Sequence, residues 1–296
     1  MSLIYRNSAQ GFLGLDNQSA DEARAVIVPF GLEASVSYGG GTGAGPAAIL
    51  EASQQVELFD DEFWRECYSD YGVATLEAPA IMPGIPAALE QLEETIEALL
   101  AQDKFPLTLG GEHSLSAGAI RPFVRRYPDL AILHFDAHAD LRDGYGGEHY
   151  SHAAALRRCL DEPIDTLVSV GIRNISAEEI PFLEANRERV HIHWAREKRD
   201  WDIDAIVAPL KDRPVYLTFD LDGFDGSVMA ATGTPEPGGL FWDDAMDIIR
   251  AASRVCRIVG ADVVELAPRD ELHACDFLAA KLCYKILNFA LCRQDA

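Results

Sequence analysis

The chain has 296 residues, 48% of them hydrophobic and 25% charged, enough apolar material for a large core with an ordinary charge content. Its net charge of −23 excludes nucleic acid as a partner, because phosphate recognition needs a basic face; the acid excess gives solubility and favours encounter with a cationic small molecule. No apolar run approaches the ~20 residues of a membrane span, Met1 to Leu13 lacks the pattern of a secretory leader, and the six cysteines contain no C-x-x-C pair. These features describe a cytoplasmic protein with reduced, mostly buried thiols and no membrane partner.

In chain order, residues 1–20 read as an N-terminal arm outside the core. Ala25–Phe30 reads as a strand, followed by the glycine-rich stretch 39–45 and a helix from Pro46 to Val56. That stretch lacks the Gly-Lys-Ser/Thr ending of a nucleotide-binding loop. A helix is expected over Pro86–Gln102, because Ile85, Leu89, Leu92, Ile96 and Leu99 recur at helical spacing. The strand Phe105–Leu109, a helix over Ser114–Tyr127, the strand Leu130–Phe135 and a helix over His149–Leu160 follow. Then come the strands Thr166–Gly171, Val190–His193 and Pro214–Phe219, the helix Asp243–Val255, the strand Ile258–Val264 and a closing helix His273–Leu291. Strands spaced by helical segments predict an α/β fold with a mostly parallel sheet, and the absence of linkers or repeats predicts a single domain over residues 1–296.

Three segments after strand-like runs carry metal-ligand side chains: Gly110-Gly-Glu-His113, Asp136-Ala-His-Ala-Asp140 and Asp220-Leu-Asp222. In extended chain, residues two apart point the same way, so Asp136, His138 and Asp140 can aim at one centre, as can Asp220 and Asp222. His113 would arrive from a third strand end, since parallel strands end on one edge of the sheet. Leaving Glu112 aside, four carboxylates and two imidazoles with no thiolate suit two divalent ions, and oxygen-rich sites favour Mn²⁺ over structural Zn²⁺. Two ions ~3.5–4 Å apart can share a water and make it nucleophilic near neutral pH. The alternative for any one cluster is capping and turn chemistry, because Asp is common after strands.

These motifs resemble the ureohydrolase family of arginases and agmatinases, agmatinases most of all. Gly110–Ser114 matches its G-G-[DE]-H-S, Asp136–Asp140 its D-A-H-x-D, and Thr218–Asp225 more loosely its S-x-D-x-D-x-x-D. The similarity takes in Gly45-Pro46, residues 233–239 and residues 262–268; Gly226 and Ala153 depart from the commonest pattern, where proline and glycine are frequent. The resemblance implies a three-layer αβα fold, two Mn²⁺ per chain, and urea release from a guanidino compound. It assigns one ion to His113, Asp136, Asp140 and Asp220 and the other to Asp136, His138, Asp220 and Asp222. It gives Asp140 a second role beside the nucleophile, makes Glu265 the guanidinium-binding carboxylate, and makes His152 the proton-transfer histidine. A histidine titrating near neutrality suits that last role. His149 is a rival, three residues earlier on the same face of an expected helix. His134, His191 and His193 read as structural, and His273 as a surface residue.

The stretch Gly146–Ser151 offers no anchor for an amino-acid carboxylate, and Glu148 would repel one, so the expected reaction is agmatine to putrescine, in polyamine biosynthesis. The alternatives are aminopropylagmatine, guanidinobutyrate or arginine as substrate, a catalytically silent binding subunit, and a metal-dependent deacetylase using one Zn²⁺ on a related fold. The resemblance also implies a homo-oligomer, trimer or hexamer.

Overall fold

Apolar runs spaced by amphipathic segments assemble into a sheet whose two faces are both covered. The computed structural model describes residues 3–16 and 18–292. Its strands are β1 (Ala25–Phe30), β2 (Phe59–Asp60), β3 (Arg65–Glu66), β4 (Val73–Thr75), β5 (Phe105–Gly110), β6 (Ala131–Phe135), β7 (Leu167–Ile172), β8 (Val190–Trp194), β9 (Pro214–Asp220) and β10 (Arg257–Val264). Eight of them form one sheet in the order β4-β1-β5-β10-β9-β6-β7-β8, with every pairing parallel; β2 and β3 form a separate antiparallel hairpin. The helices Gly45–Ser53, Trp242–Val255 and His273–Leu291 cover one face, and Ile85–Leu100, Arg121–Arg126 and Ala155–Cys159 the other. This is the expected three-layer αβα arrangement. Successive residues of β1 serve opposite layers, Ala25 and Ile27 one core and Val26, Val28 and Phe30 the other. Burial on both faces is why these strands read as unbroken apolar runs.

Three expectations change, and some elements were not anticipated. The stretch read as an arm sends Phe12, Leu13 and Leu15 into the main core, and Tyr5 bridges Leu76; only tertiary pairing reveals this. The helix expected over Ser114–Tyr127 is broken into Ser116–Ala119 and Arg121–Arg126 after a short 3-10 turn, because Pro122 has no N–H to give the ladder. The helix expected from His149 begins only at His152. Tyr145 and Glu148 exchange backbone hydrogen bonds around Gly146 and Gly147, both in the left-handed region, and Ser151 is extended. Finally, β4, the β2–β3 hairpin and several short helices carry too few residues to show a period.

Lys285, on the closing helix, reaches Asp60 of the hairpin at 3.0 Å and Glu62 at 3.2 Å, and Asn288 donates to Asp60 at 2.7 Å. The six cysteines are free, all but Cys256 buried. Among the described residues no helix is long and apolar enough to cross a membrane.

Candidate metal centre

The strands β5, β10, β9 and β6 are consecutive in the sheet, and all deliver candidate residues from the same edge. Phe135 pairs with Phe219, their rings stacked at 4.7 Å, so Asp136 and Asp220, one residue on in each strand, emerge side by side. Val264 pairs with Asp220, which brings Glu265 next to them. The turn after β5 needs its second glycine: a Cβ at Gly111 would lie 2.0 Å from the Leu32 carbonyl oxygen. His113 follows that turn.

Extended geometry does not persist as far as expected. Leu221–Gly223 is a 3-10 turn, and Asp140 has a φ of 52°. Short-range hydrogen bonds hold the pairs together instead. Asp136 Oδ1 accepts the His138 N–H at 2.6 Å, and Asp220 Oδ1 accepts the Asp222 N–H at 2.9 Å. Turn chemistry and ligation are thus not alternatives here, because each aspartate uses Oδ1 to hold the turn and turns Oδ2 to the centre. His113 Nδ1 lies 3.2 Å from Asp136 Oδ2, 3.2 Å from Asp140 Oδ2 and 3.3 Å from Asp220 Oδ2. His138 Nδ1 lies 3.1 Å from Asp222 Oδ2 and 3.5 Å from Asp136 Oδ1. All six expected ligands therefore meet in two adjoining groups that share Asp136.

The donor set fits divalent cations. His113 Nδ1 is buried without a hydrogen-bond partner, although it faces three carboxylates. Asp136, His138 and Asp222 offer ligand atoms that all lie within 4.8 Å of one another. The charges of the cluster strain against each other as they would around a cation. Burial pushes Asp140 up to about 7, helped by the charge of Asp136, and with Asp222 and Asp136 it lifts Asp220 well above the carboxylate range. Burial alone would also raise Asp136, but the imidazoles of His113, His134 and His138 beside it outweigh burial and hold that carboxyl well below. Burial opposes charge on His138 as well, yet Asp222 and Asp136 carry it up to about 12.

Glu265 stands over this cluster with a φ of 66° and accepts the His113 N–H at 2.7 Å; burial raises its carboxyl to about 8. Two of the three residues expected to be catalytic, Asp140 and Glu265, thus sit in a backbone region that side-chain-bearing residues avoid, as happens where a site fixes a carboxylate against local preference. His152 lines the same cavity of about 350 Å³, together with His113, His138, Asp140, Asp220 and Glu265. Its Nδ1 is 2.9 Å from Ser35 Oγ and its Nε2 2.7 Å from Ser37 Oγ. The expectation that it titrates near neutrality is corrected: burial, then the charges of His113 and His138, hold it down to about 4. Its rival, His149, does not line the cavity; both its ring nitrogens face Arg158, Nδ1 at 2.5 Å.

Supporting residues appear that the sequence did not assign to the centre. His134, read as a satisfied core histidine, is fully buried and paired on both nitrogens, with Ser169 at 3.0 Å and with Asp136 Oδ2 at 2.9 Å. His113 Nε2 meets Thr218 Oγ1 at 2.9 Å, and Thr218 donates to buried Asp262 at 2.6 Å. Arg173 donates to the carbonyls of Asp222 at 2.7 Å and Glu236 at 2.9 Å, tying the third ligand loop to its neighbour. Glu112, set aside as a ligand, turns away from the centre. Its Oε2 accepts the N–H groups of Ala34 and Ser35, both at 2.5 Å, and its Oε1 accepts the hydroxyls of Ser35 at 2.8 Å and Ser114 at 2.6 Å. Alternation gave a signal for His134 and Thr218, each two residues before a ligand; nothing gave one for Glu112. His191 and His193 lie on β8, at the far edge of the sheet, and His273 is exposed.

Comparison with known proteins agrees with this geometry. Residues 23–288 match the model of the arginase family. The chain is 34% identical over 277 residues to the N(1)-aminopropylagmatine ureohydrolase of Synechocystis sp., covering 90% of this chain and 89% of the relative. It is 36% identical over 266 residues to the agmatinase of Bacillus cereus, covering 84% and 86%. The crystal structure of the agmatine ureohydrolase of Thermoplasma volcanium superposes with a TM-score of 0.85 at 29% identity, covering 98% of this chain and 95% of that one.

Proposed function

The chain belongs to the arginase family, and from that premise we propose that it is a binuclear manganese hydrolase that releases urea from agmatine, leaving putrescine. The observation that carries this reading is the meeting of six oxygen and imidazole ligands, five of which line one cavity with Glu265 and His152 while Asp136 lies beneath them. His113, Asp136, Asp140 and Asp220 would hold one Mn²⁺, and Asp136, His138, Asp220 and Asp222 the other. Such a pair supplies a water-derived nucleophile near neutral pH and offsets the carboxylate charge.

The protein's own groups do the rest. Glu265 offers a carboxylate to the planar guanidinium, whose charge keeps it ionised against burial. The guanidinium carbon is a poor electrophile because its charge is delocalised, so holding it against the nucleophile is a large part of the task. Asp140 accepts a hydrogen bond from the attacking water. His152, neutral before reaction, takes up a proton and passes it to the departing amine, which leaves as the C–N bond breaks.

Agmatine is favoured over arginine by the walls of the cavity. Arg142 is the one arginine or lysine among the described lining residues, and it is already paired with Glu178 at 3.3 Å and packed over Tyr145 at 5.0 Å. No unspent cation awaits an amino-acid carboxylate. Glu148, expected to repel one, does not line the cavity and accepts the Tyr150 N–H instead. The Synechocystis relative supports a second reading, aminopropylagmatine, which has the same guanidino end and no carboxylate. A urea-release assay with Mn²⁺ across agmatine, aminopropylagmatine, guanidinobutyrate and arginine tests both. Activity on arginine alone overturns the choice of substrate, and undiminished release by Asp136→Ala overturns the two-metal reading. Cytoplasmic residence and a trimeric or hexameric state are part of the same proposal, and light scattering on the purified chain tests the latter.

A further inference from the structure

Glu112 is a buried carboxylate that the chemistry above leaves without a task, yet all four of its contacts are donors and two of them come from Ser35. A serine hydroxyl has a single proton, and Ser35 spends it on Glu112 Oε1. Its oxygen is left as an acceptor only, and it meets two groups of His152: the backbone N–H at 3.0 Å and Nδ1 at 2.9 Å. Nδ1 must therefore carry the hydrogen in the neutral ring, leaving Nε2 as the free base. The contact on the other side agrees, because Nε2 can accept from the Ser37 hydroxyl at 2.7 Å.

We infer that Glu112 and Ser35 are positioning residues that set the tautomer of His152, so that the proton gained and released in turnover travels through Nε2. Glu112 touches no reacting atom. It acts through the loop 34–37, which it holds by two backbone and one side-chain bond, and that loop in turn carries both serines that grip the imidazole. A histidine held in the wrong tautomer keeps its place and loses its function, so the effect should fall on the chemical step and not on binding.

This inference rests on the reading of His152 as the proton-transfer group, and the test separates the two. In the full chain loaded with diamagnetic Mg²⁺ in place of paramagnetic Mn²⁺, ¹⁵N NMR of labelled histidines should show His152 as the Nδ1–H form. Ser35→Ala and Glu112→Gln should each convert it to a mixture or to the Nε2–H form. Each variant should lose on the order of 10²-fold in kcat for urea release from agmatine, with KM changed less than about threefold and Mn²⁺ content unchanged. The double variant should lose no more than either single one, because the two residues act as a unit. Ser35→Thr, which keeps the hydroxyl, should retain activity within about threefold. If Glu112→Gln does not fold, Ser35→Ala carries the test alone, since its backbone bond to Glu112 survives. An Nε2–H ring in the wild type, or Ser35→Ala with unchanged tautomer and unchanged kcat, overturns the inference. The expected tautomer shifts in a wild type that releases no urea would uphold the positioning and overturn the proposed reaction.

Discussion

Thr218→Val removes one hydroxyl and no volume, and it strikes the centre from behind. Thr218 Oγ1 is the hydrogen-bond partner of His113 Nε2 at 2.9 Å, and it donates to Asp262 at 2.6 Å. In the variant His113, 1% exposed, faces a methyl group, while Asp262 keeps Tyr216 at 2.7 Å and Ser116 at 2.8 Å. An unsatisfied buried polar group costs about 1–3 kcal/mol. A lost outer partner of a metal-ligating histidine typically costs about 10–100-fold in metal affinity, which is about 1.4–2.8 kcal/mol. A cost common to the free and the loaded protein falls on folding stability, so only the second scale sets the change in binding. Titration of metal-stripped protein by calorimetry should show the Mn²⁺ Kd of one site raised 10–100-fold, with two ions still bound at saturation. Urea release should fall at limiting Mn²⁺ and recover in excess, and Thr218→Ser should restore the wild-type curve. An affinity within twofold of wild type, or activity that excess Mn²⁺ does not recover, would refute the reasoning.

Three further outcomes follow from the same geometry. His152→Asn should lower kcat by about 10²–10⁴-fold with Mn²⁺ content intact, whereas His149→Asn should change it less than about threefold, since that ring faces Arg158. Lys285→Ala leaves Asp60, 1% exposed, with no cation at 3.0 Å; equilibrium urea unfolding should show a loss of about 3–5 kcal/mol. Glu265 titrates at about 8 in the folded chain against an ordinary 4.5, so the native state holds its proton more tightly than the unfolded state. Its contribution to stability is complete below the ordinary value and is lost as pH rises through the folded one. The Tm of metal-stripped protein should therefore fall between about pH 5 and about pH 8, and the gain in Tm on adding Mn²⁺ should be larger at the upper end.

The long apolar strands and the closing helix were legible because burial on both faces, or a full helical stripe, leaves a pattern many residues long. Asp136, His138, Asp220, Asp222 and His113 were legible because each sits just past such a run. What the pattern could not supply was direction once a regular element ends. Asp140 and Glu265 reach their places through left-handed backbone, which no spacing rule predicts. Glu112 follows a turn in which two glycines free the chain to go either way, and three of its four bonds go to a loop about eighty residues earlier. His149 was placed on a helix face that does not exist, because Gly146 and Gly147 close a turn first.

One regularity within the strands was available and carries further than the ligands themselves. Residues two apart in a strand share a face, so the positions two before Asp136 and Asp220 lie one layer beneath them, and these are His134 and Thr218. Register joins them across the sheet: His134 pairs with Thr218, Thr218 with Asp262, and Asp262 with Thr108. All four are 0% or 1% exposed, in strands otherwise apolar. A polar row this deep is unfavourable unless its members are bonded, and three of them are tied upward to ligands: His134 to Asp136, Thr218 to His113, and Asp262 to His113 by way of Thr218. The sheet thus builds the candidate centre in two storeys, the proposed ligands at the strand ends and, one pleat below, the groups bonded to them. Substitutions in the lower row should then weaken metal binding in proportion to the bond each makes to a ligand, most at Thr218 and His134, and less at Asp262, which reaches its ligand through one intermediary.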